Sequence, residues 1–181
     1  MEHQVKRILL CGSRRTGRSS MIKKLTQQLH VPVCGYRTKT MNKRADGYHE
    51  IYMFPYGAET PAVSEACHIG DCNTRQRVIH NEVFDTLGVK LLEPAPGGIL
   101  VMDEIGFMEA QAEAFCQSVL ARLRGETPVL AAVRTSIETP FLRRVVCCED
   151  ARVVEMNPER FDEIYEELLP IVLSWEAARG L

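Results

Sequence analysis

The sequence predicts an α/β fold in three layers, with helices on both faces of a mostly parallel central sheet and a small antiparallel strand insertion. Short apolar segments alternate with longer amphipathic segments through most of the chain, which is the order that parallel strands and crossover helices require. The segment from Asp46 to Phe54 differs, because an Asp-Gly turn opens it and its residues alternate with a period of two. That pattern favours an antiparallel strand.

Length and composition set the class of protein. A chain of 181 residues with 45% hydrophobic residues can bury one sizeable core, so we expect a single domain over residues 1–181. Its 22 basic and 24 acidic residues leave a net charge of -2, which gives no electrostatic reason to expect nucleic acid or a membrane as a partner. Seven scattered cysteines and the lack of a signal-peptide core or long apolar run predict a cytoplasmic protein with reduced thiols.

The first part of the chain predicts two strands around one helix. The apolar run from Lys6 to Cys11 ends at a glycine, which is typical of a buried strand entering a turn. A helix is predicted from Ser19 to His30, and a second strand from Pro32 to Arg37. The apolar positions that give this helix its period are Met21, Ile22, Leu25 and Leu29.

The middle of the chain is less regular. After the strand that ends at Phe54, the segment from Pro55 to Arg77 contains two prolines, two glycines and few large apolar residues, so we expect a loop-rich insertion at about 55–77. A helix is predicted from about Asn81 to Glu93.

The second half repeats a strand–helix rhythm. Strands are predicted at Ile99–Met102, Val129–Val133 and Ala151–Glu155, and helices at Ala110–Arg124, Thr139–Cys147 and Pro158–Leu169. Asn157 is suited to the N-cap of the last helix, with Pro158 at its first position.

A glycine-rich motif joins the first predicted strand to the first helix. Its residues are Gly12, Ser13, Arg14, Arg15, Thr16, Gly17, Arg18, Ser19 and Ser20. A strand, a glycine-rich loop and a helix in this order bring backbone N–H groups and the positive helix end to one anion, so the motif predicts a Walker A phosphate-binding loop. The sandwich is therefore predicted to be of the P-loop NTPase type.

The loop has cations in unusual places. Arg18 stands where a Walker A loop has lysine, and its planar, forked guanidinium can grip phosphate oxygens but differs in shape from the compact ammonium. Nucleotide binding can therefore persist where turnover is impaired. Arg14 and Arg15 either point to solvent or turn inward, and in the second case they favour a highly charged anion.

An acidic pair ends the strand that begins near Gly98. Asp103 follows the apolar strand as a Walker B aspartate does, so we expect it to share Mg²⁺ with the hydroxyl of Ser19. Glu104 is placed to orient or deprotonate a water molecule. An Asp-Glu pair alone is more often a polar loop or helix cap, and its combination with the phosphate loop is what favours a catalytic site.

Other charged or ligand-like residues carry weaker signals. Arg134 directly follows a strand and is the first candidate for stabilising charge during phosphate transfer, ahead of Arg143 and Arg144, although solvated arginines are common at such positions. A second set, Cys67, His68, Asp71 and Cys72, has metal-ligand chemistry, but it has no C-x-x-C and no second pair at zinc spacing. The sequence therefore favours an unpaired loop cluster there.

Several segments together resemble the cancer-related nucleoside-triphosphatase family of small P-loop proteins. They are ILLCGSRRTGRSS at the loop, CGYRTKT from Cys34 to Thr40, DGYHEIYMF from Asp46 to Phe54, DEIGFME from Asp103 to Glu109, PVLAAV from Pro128 to Val133 and NPERFDEIYEELL from Asn157 to Leu169. The resemblance implies an NTPase that acts on ATP, GTP and related triphosphates with Mg²⁺.

The resemblance also implies roles for individual residues. The loop Gly12–Ser20 would bind phosphates, Ser19 and Asp103 would hold the metal, and Glu104 would be the catalytic carboxylate. The chain departs from the family at Arg18, where lysine is usual, and at Arg15, where a small residue such as glycine is expected.

The favoured function is an NTPase-like protein that binds Mg-NTP and hydrolyses the γ-phosphate, slowly because of the arginine-substituted loop. Glu104, Arg18 and Arg134 are its predicted catalytic residues. Two alternatives stay open: a catalytically impaired nucleotide- or anion-binding module, and a small-molecule kinase that uses the segment Pro55–Arg77 as an acceptor lid.

Overall fold

A computed structural model describes residues 4–57, 59 and 62–178 of the chain. Its strands are β1 (Arg7–Gly12), β2 (Val33–Lys43), β3 (His49–Pro55), β4 (His68–Cys72), β5 (Arg77–Ile79), β6 (Ile99–Ile105), β7 (Val129–Arg134) and β8 (Ala151–Glu155). These strands form one sheet in the order β5-β4-β3-β2-β6-β7-β1-β8. Neighbouring strands are parallel in the half of the sheet formed by β2, β6, β7, β1 and β8. Strands β3, β4 and β5 extend the sheet beyond β2 in antiparallel pairing.

Helices cover both faces of the sheet. They are α1 (Arg18–Thr26), α2 (Asn81–Val83), α3 (Val89–Leu91), α4 (Glu113–Arg124), α5 (Pro140–Val146) and α6 (Phe161–Ala177), with a π-helical turn at Phe84–Gly88 between α2 and α3. Apolar residues of α1 and α6 form one buried cluster with the sheet, and those of α4 and α5 form another with its opposite face. The predicted three-layer α/β sandwich with an antiparallel part is confirmed.

The predicted loop-rich insertion is partly wrong. The segment from Pro55 to Arg77 contains β4 and a 3₁₀ turn at Glu65–Cys67, while residues 58, 60 and 61 lie outside the described part of the chain. β4 forms because β3 and β5 satisfy its backbone groups on both sides. Gly70 interrupts the apolar pattern of β4. Glycine is needed there because a Cβ would lie 2.3 Å from the carbonyl oxygen of Val78 on β5.

Some element boundaries also differ from the predictions. β2 continues beyond Arg37 to Lys43 because its second half pairs with β3. α1 ends at Thr26 rather than at His30. α6 continues past Leu169 and through Pro170, where burial of its apolar face, including Trp175, offsets the missing backbone hydrogen bond.

Candidate active site

The glycine-rich loop connects β1 to the first turn of α1. Two glycines shape it, with φ of 153° at Gly12 and 88° at Gly17. A Cβ at Gly12 would lie 2.7 Å from Oγ1 of Thr16, whose hydroxyl donates to the carbonyl oxygen of Ser13 at 3.0 Å. The loop is therefore closed on itself by Thr16 and ends at the N-terminus of α1, as a phosphate cradle requires.

Arg14 and Arg15 lie on the exposed side of this loop and border the adjoining cavity. Arg15 has φ 61°, a left-handed backbone conformation that glycine adopts without cost. The expectation of a small residue at this position therefore has a backbone cause. Both side chains remain solvent-accessible while facing the place where an anion would bind.

Arg18 is the buried cation of the loop, with 6% of its surface exposed. Its Nη2 lies 3.0 Å from Oε2 of Glu104. Its Nη1 is buried and has no hydrogen-bond partner among residues 4–57, 59 and 62–178. A buried guanidinium N–H without an acceptor is costly, and a phosphate oxygen is the kind of acceptor that would satisfy it.

Strand pairing brings the loop and the acidic pair to one edge of the sheet. β7 lies between β1 and β6, and its register sets Gly12 beside Arg134 and Asp103 beside Ala132. The carboxyl ends of these parallel strands therefore carry the phosphate loop, Arg134 and Asp103 together. Ligands of open α/β sheets bind at this edge.

Asp103 and Ser19 form the candidate metal pair. The Ser19 hydroxyl donates to Oδ1 of Asp103 at 2.8 Å. Burial raises the pKa of Asp103 to about 6, against the opposing effect of the Ser19 hydrogen bond. A hydroxyl and a carboxylate are oxygen ligands of the kind that Mg²⁺ prefers, and a cation there would favour the charged carboxylate. These residues fit the predicted metal.

Glu104 lies between two arginines. Besides the contact with Arg18, its Oε1 is 3.7 Å from Nη1 of Arg134. Arg134 and Arg77 also flank the ring of Phe107, with their guanidinium carbons 5.2 and 4.3 Å from the ring centroid. Sequence reasoning identified Glu104, Arg18 and Arg134, and the structure brings all three together.

The remaining predicted residues lie elsewhere. Arg143 and Arg144 are exposed on α5, and Nη2 of Arg143 pairs with Glu138 at 2.7 Å. His68 and Asp71 lie on β4, so the predicted loop cluster is in fact on a strand. Ser20 is exposed in the first turn of α1, next to Ser19.

Glu109 has no role in the sequence-based interpretation, although it closes the DEIGFME segment. Only 3% of its surface is exposed, and its Oε1 accepts a hydrogen bond from the backbone N–H of Gly106 at 2.5 Å. Burial raises its pKa to about 7. The signal that could have found it is the spacing of three residues from Gly106, which suits a side chain closing a turn onto the backbone.

A cavity of about 340 Å³ joins these groups. One side is formed by the phosphate loop, Asp103, Glu104 and Arg134, and the cavity extends from there along the antiparallel part of the sheet. The residues that line this extension include Thr38, Thr40, Asn73, Arg77 and Phe107. The site is thus larger than a phosphate cradle alone.

This fold and this site define a P-loop phosphate-binding protein of the α/β class. The model of a protein family described as NTPase matches residues 7–169, and the chain belongs to that family.

Individual relatives support this family assignment. A nucleoside-triphosphatase THEP1 from Thermotoga sp. (strain RQ2) is 24% identical over 169 residues, which cover 92% of this chain and 95% of the relative. The crystal structure of THEP1 from Aquifex aeolicus has a TM-score of 0.70 at 18% identity and covers 92% of this chain and 98% of its own. The solution structure of a human cancer-related nucleoside triphosphatase has a TM-score of 0.65 at 22% identity, covering 93% and 98%. These structures share the fold described above.

None of the helices in the described part of the chain has the length and apolar character needed to span a membrane.

Proposed function

We propose that this protein binds Mg-NTP, with ATP and GTP both accepted, and hydrolyses the γ-phosphate slowly. The observation that carries the proposal is the position of Glu104 beside the phosphate loop, next to the hydrogen-bonded pair of Ser19 and Asp103. Membership of the NTPase family supports the reaction class. The free cysteines support our further proposal that this single-domain protein works in the cytoplasm.

The loop and Arg18 supply the phosphate contacts in this proposal. Backbone N–H groups of Gly12–Ser20 surround the phosphates, and the unpartnered Nη1 of Arg18 donates to one of their oxygens. Ser19 and Asp103 would hold Mg²⁺, which would supply positive charge beside the phosphate oxygens. Arg134 adds positive charge from the neighbouring strand.

Glu104 orients a water molecule and accepts its proton as the water attacks the γ-phosphorus. The bond from that phosphorus to the β–γ bridging oxygen breaks, and the products are the nucleoside diphosphate and inorganic phosphate. Glu104 must first leave its ion pair with Arg18, whose Nη2 holds Oε2 at 3.0 Å. A shorter, non-forked lysine at position 18 could not hold the carboxylate in the same planar arrangement. Breaking this ion pair is an extra step before Glu104 can act as a base, and it is why we propose slow turnover.

Phosphate release from ATP and GTP tests this proposal. Glu104→Gln should lower the rate by at least about 10²-fold, because the general base is lost, and Arg18→Lys should change it measurably. Arg143→Lys, an exposed arginine outside the cavity, is the matched control and should leave the rate unchanged. Equal background rates of phosphate release in wild type, Glu104→Gln and Arg18→Lys would contradict the proposal.

The Arg18–Glu104 ion pair also supports a second candidate, a nucleotide-binding module with impaired catalysis. In that case the carboxylate stays paired and never reaches a water molecule. Calorimetry would then show Mg-nucleotide binding while phosphate release stays at background. Turnover by the purified wild type would eliminate this candidate.

The size of the cavity supports a third candidate, a small-molecule kinase. Thr38, Thr40 and Asn73 offer hydrogen-bonding side chains beyond Glu104, and Arg77 adds a cation, so a polar acceptor could fit there. This candidate requires label from the γ-phosphate to appear on an acceptor other than water. Its absence across a panel of anionic hydroxyl compounds would argue against a kinase.

A further inference from the structure

A cluster of metal-ligand side chains lies on the antiparallel part of the sheet, separate from the residues that line the phosphate cavity. His68 and Asp71 come from β4, and His80 follows β5 directly. One ligand atom from each side chain can be chosen so that all three lie within 4.8 Å of one another. Sequence reasoning considered two of these residues and missed the third, because only strand pairing brings His80 to them.

The distance between the first two ligands suits a small metal ion. Nε2 of His68 is 3.4 Å from Oδ2 of Asp71. Two ligands bound to one tetrahedral ion at about 2.0–2.1 Å lie about 3.3–3.4 Å apart. This separation leaves room for such an ion between the two atoms.

The third ligand is already oriented by the backbone. Nδ1 of His80 lies 2.9 Å from the carbonyl oxygen of His68. A carbonyl only accepts hydrogen bonds, so Nδ1 carries the proton and Nε2 keeps its lone pair. Metal-binding histidines are usually oriented in this way, by donating their other ring N–H to a carbonyl or carboxylate.

The other two ligands are held from outside the cluster. Oδ1 of Asp71 accepts from Nη1 of Arg44 at 3.0 Å, which leaves Oδ2 to a cation. The ring of His68 stacks on Tyr52 with centroids 4.9 Å apart. The side chains of His68 and Asp71 are 15% and 14% exposed, so the site is shielded from solvent but accessible to an ion.

His68 needs one adjustment to bind a metal. Its Nε2 lies 3.1 Å from the carbonyl oxygen of Gly70, so this nitrogen carries a proton in the structure as described. Shifting that proton to Nδ1 frees the Nε2 lone pair at the position next to Asp71. The carbonyl oxygen of Gly70 then loses this hydrogen bond and faces the metal position, where it is a further oxygen donor.

We propose that His68, Asp71 and His80 form a binding site for a divalent transition metal of the Zn²⁺ type, with water completing the coordination. Two imidazoles and one carboxylate favour such ions over Mg²⁺ or Ca²⁺, which prefer oxygen ligands. The two cysteines of the sequence cluster do not take part, since the Cys67 thiol donates to the carbonyl oxygen of Ser64 and Cys72 borders the phosphate cavity. The site is independent of the proposed NTPase reaction.

Titration of the metal-stripped full-length protein with Co²⁺ tests the site. Wild type should bind one equivalent with visible d–d bands, and Zn²⁺ should displace the Co²⁺. His80→Ala and His80→Gln should each weaken binding by at least about 10-fold, while folding is followed by circular dichroism. If one of these variants folds poorly, the other still tests whether His80 binds the metal.

His49→Ala is the matched control, because His49 lies on the neighbouring strand β3 and its Nδ1 contacts the carbonyl oxygen of Met41. It should bind Co²⁺ as tightly as wild type. The proposal is overturned if His49→Ala weakens binding as much as the His80 variants do, or if wild type binds no more tightly than those variants. An intense sulfur-to-cobalt charge-transfer band would also overturn it, because the metal would then be on cysteines.

Discussion

Arg15 places a strained backbone conformation in the phosphate loop. Its φ of 61° lies in the left-handed region, where a side chain with a Cβ is strained by about 1–2 kcal/mol. The strain lies in the loop that we propose to bind the anion, and we propose that the charge of Arg15 contributes to that binding.

Substituting Arg15 by glycine should relieve the strain. We expect Arg15→Gly to be more stable than Arg14→Gly by about 1 kcal/mol, because both lose an exposed arginine and gain glycine flexibility but only the first removes a left-handed side chain. Urea unfolding of the two variants measures the difference. Equal stability would show that residue 15 is not strained.

Glu109 gives a second prediction at the residue scale. Burial raises its pKa from 4.5 to about 7, so between these values the folded protein retains a proton that the unfolded chain has released. The free energy of unfolding should therefore fall as pH rises through this window, by about 3 kcal/mol in total from this group.

Glu109→Gln removes that titration while its amide oxygen can still accept from Gly106. We expect the stability of Glu109→Gln relative to wild type to increase from about pH 5 to about pH 8, because only wild type loses stability through Glu109 over this range. Urea unfolding across the range measures the difference. Asp103 titrates in both proteins, so its contribution cancels in the difference between their free energies of unfolding. A pH-independent difference between the two proteins would contradict the buried acid.

At the scale of elements, β2 is the strand that joins the parallel and antiparallel parts of the sheet. Its first half pairs with β6 and its second half with β3. Gly35 permits the first of these contacts, since a Cβ there would lie 1.9 Å from the carbonyl oxygen of Val101 on β6. β6 carries Asp103 and Glu104, so this close approach also helps to set the position of the acidic pair.

Gly35→Ala should therefore destabilise the protein by at least about 3 kcal/mol, because either the strand pair or the strained φ of 111° must give way. Gly125→Ala is the control, since its Cβ would meet no atom closer than 3.5 Å, and its stability should change by less than about 1 kcal/mol. Thermal unfolding followed by circular dichroism compares them. Similar melting temperatures would contradict the close contact.

At the scale of the whole molecule, α6 ties the end of the described chain to its beginning. Trp175 is 1% exposed, and its indole N–H donates to the carbonyl oxygen of Val5 at 2.6 Å. The same helix packs beside α1, directly behind the phosphate loop. Loss of its last turns should weaken the layer that supports the loop.

Trp175→Ala should cost about 3–5 kcal/mol of stability through the cavity it leaves, whereas Leu173→Ala, at a position 38% exposed, should cost less than about 1 kcal/mol. Urea unfolding followed by circular dichroism measures both, since Trp175 is the single tryptophan and its fluorescence would be lost. Equal effects would mean that the helix end is not packed as described.

The sequence was most informative where the signal is local. Periodicity identified the buried face of α1, and the spacing of glycines in Gly12–Ser20 identified the phosphate loop, because both depend on neighbouring residues. The sequence signal for a strand was weakest at β4, whose backbone hydrogen-bond partners lie on β3 and β5. A short strand with a glycine at its centre carries no period that distinguishes it from a loop.

By itself, the sequence determined the α/β class, the phosphate loop and the acidic pair at the end of β6. The tertiary structure decided which side chains meet: that Arg18 pairs with Glu104, that Glu109 is buried against Gly106, and that His80 joins His68 and Asp71. The reason is physical, because strand order and register set these distances, and both depend on contacts between residues far apart in the chain.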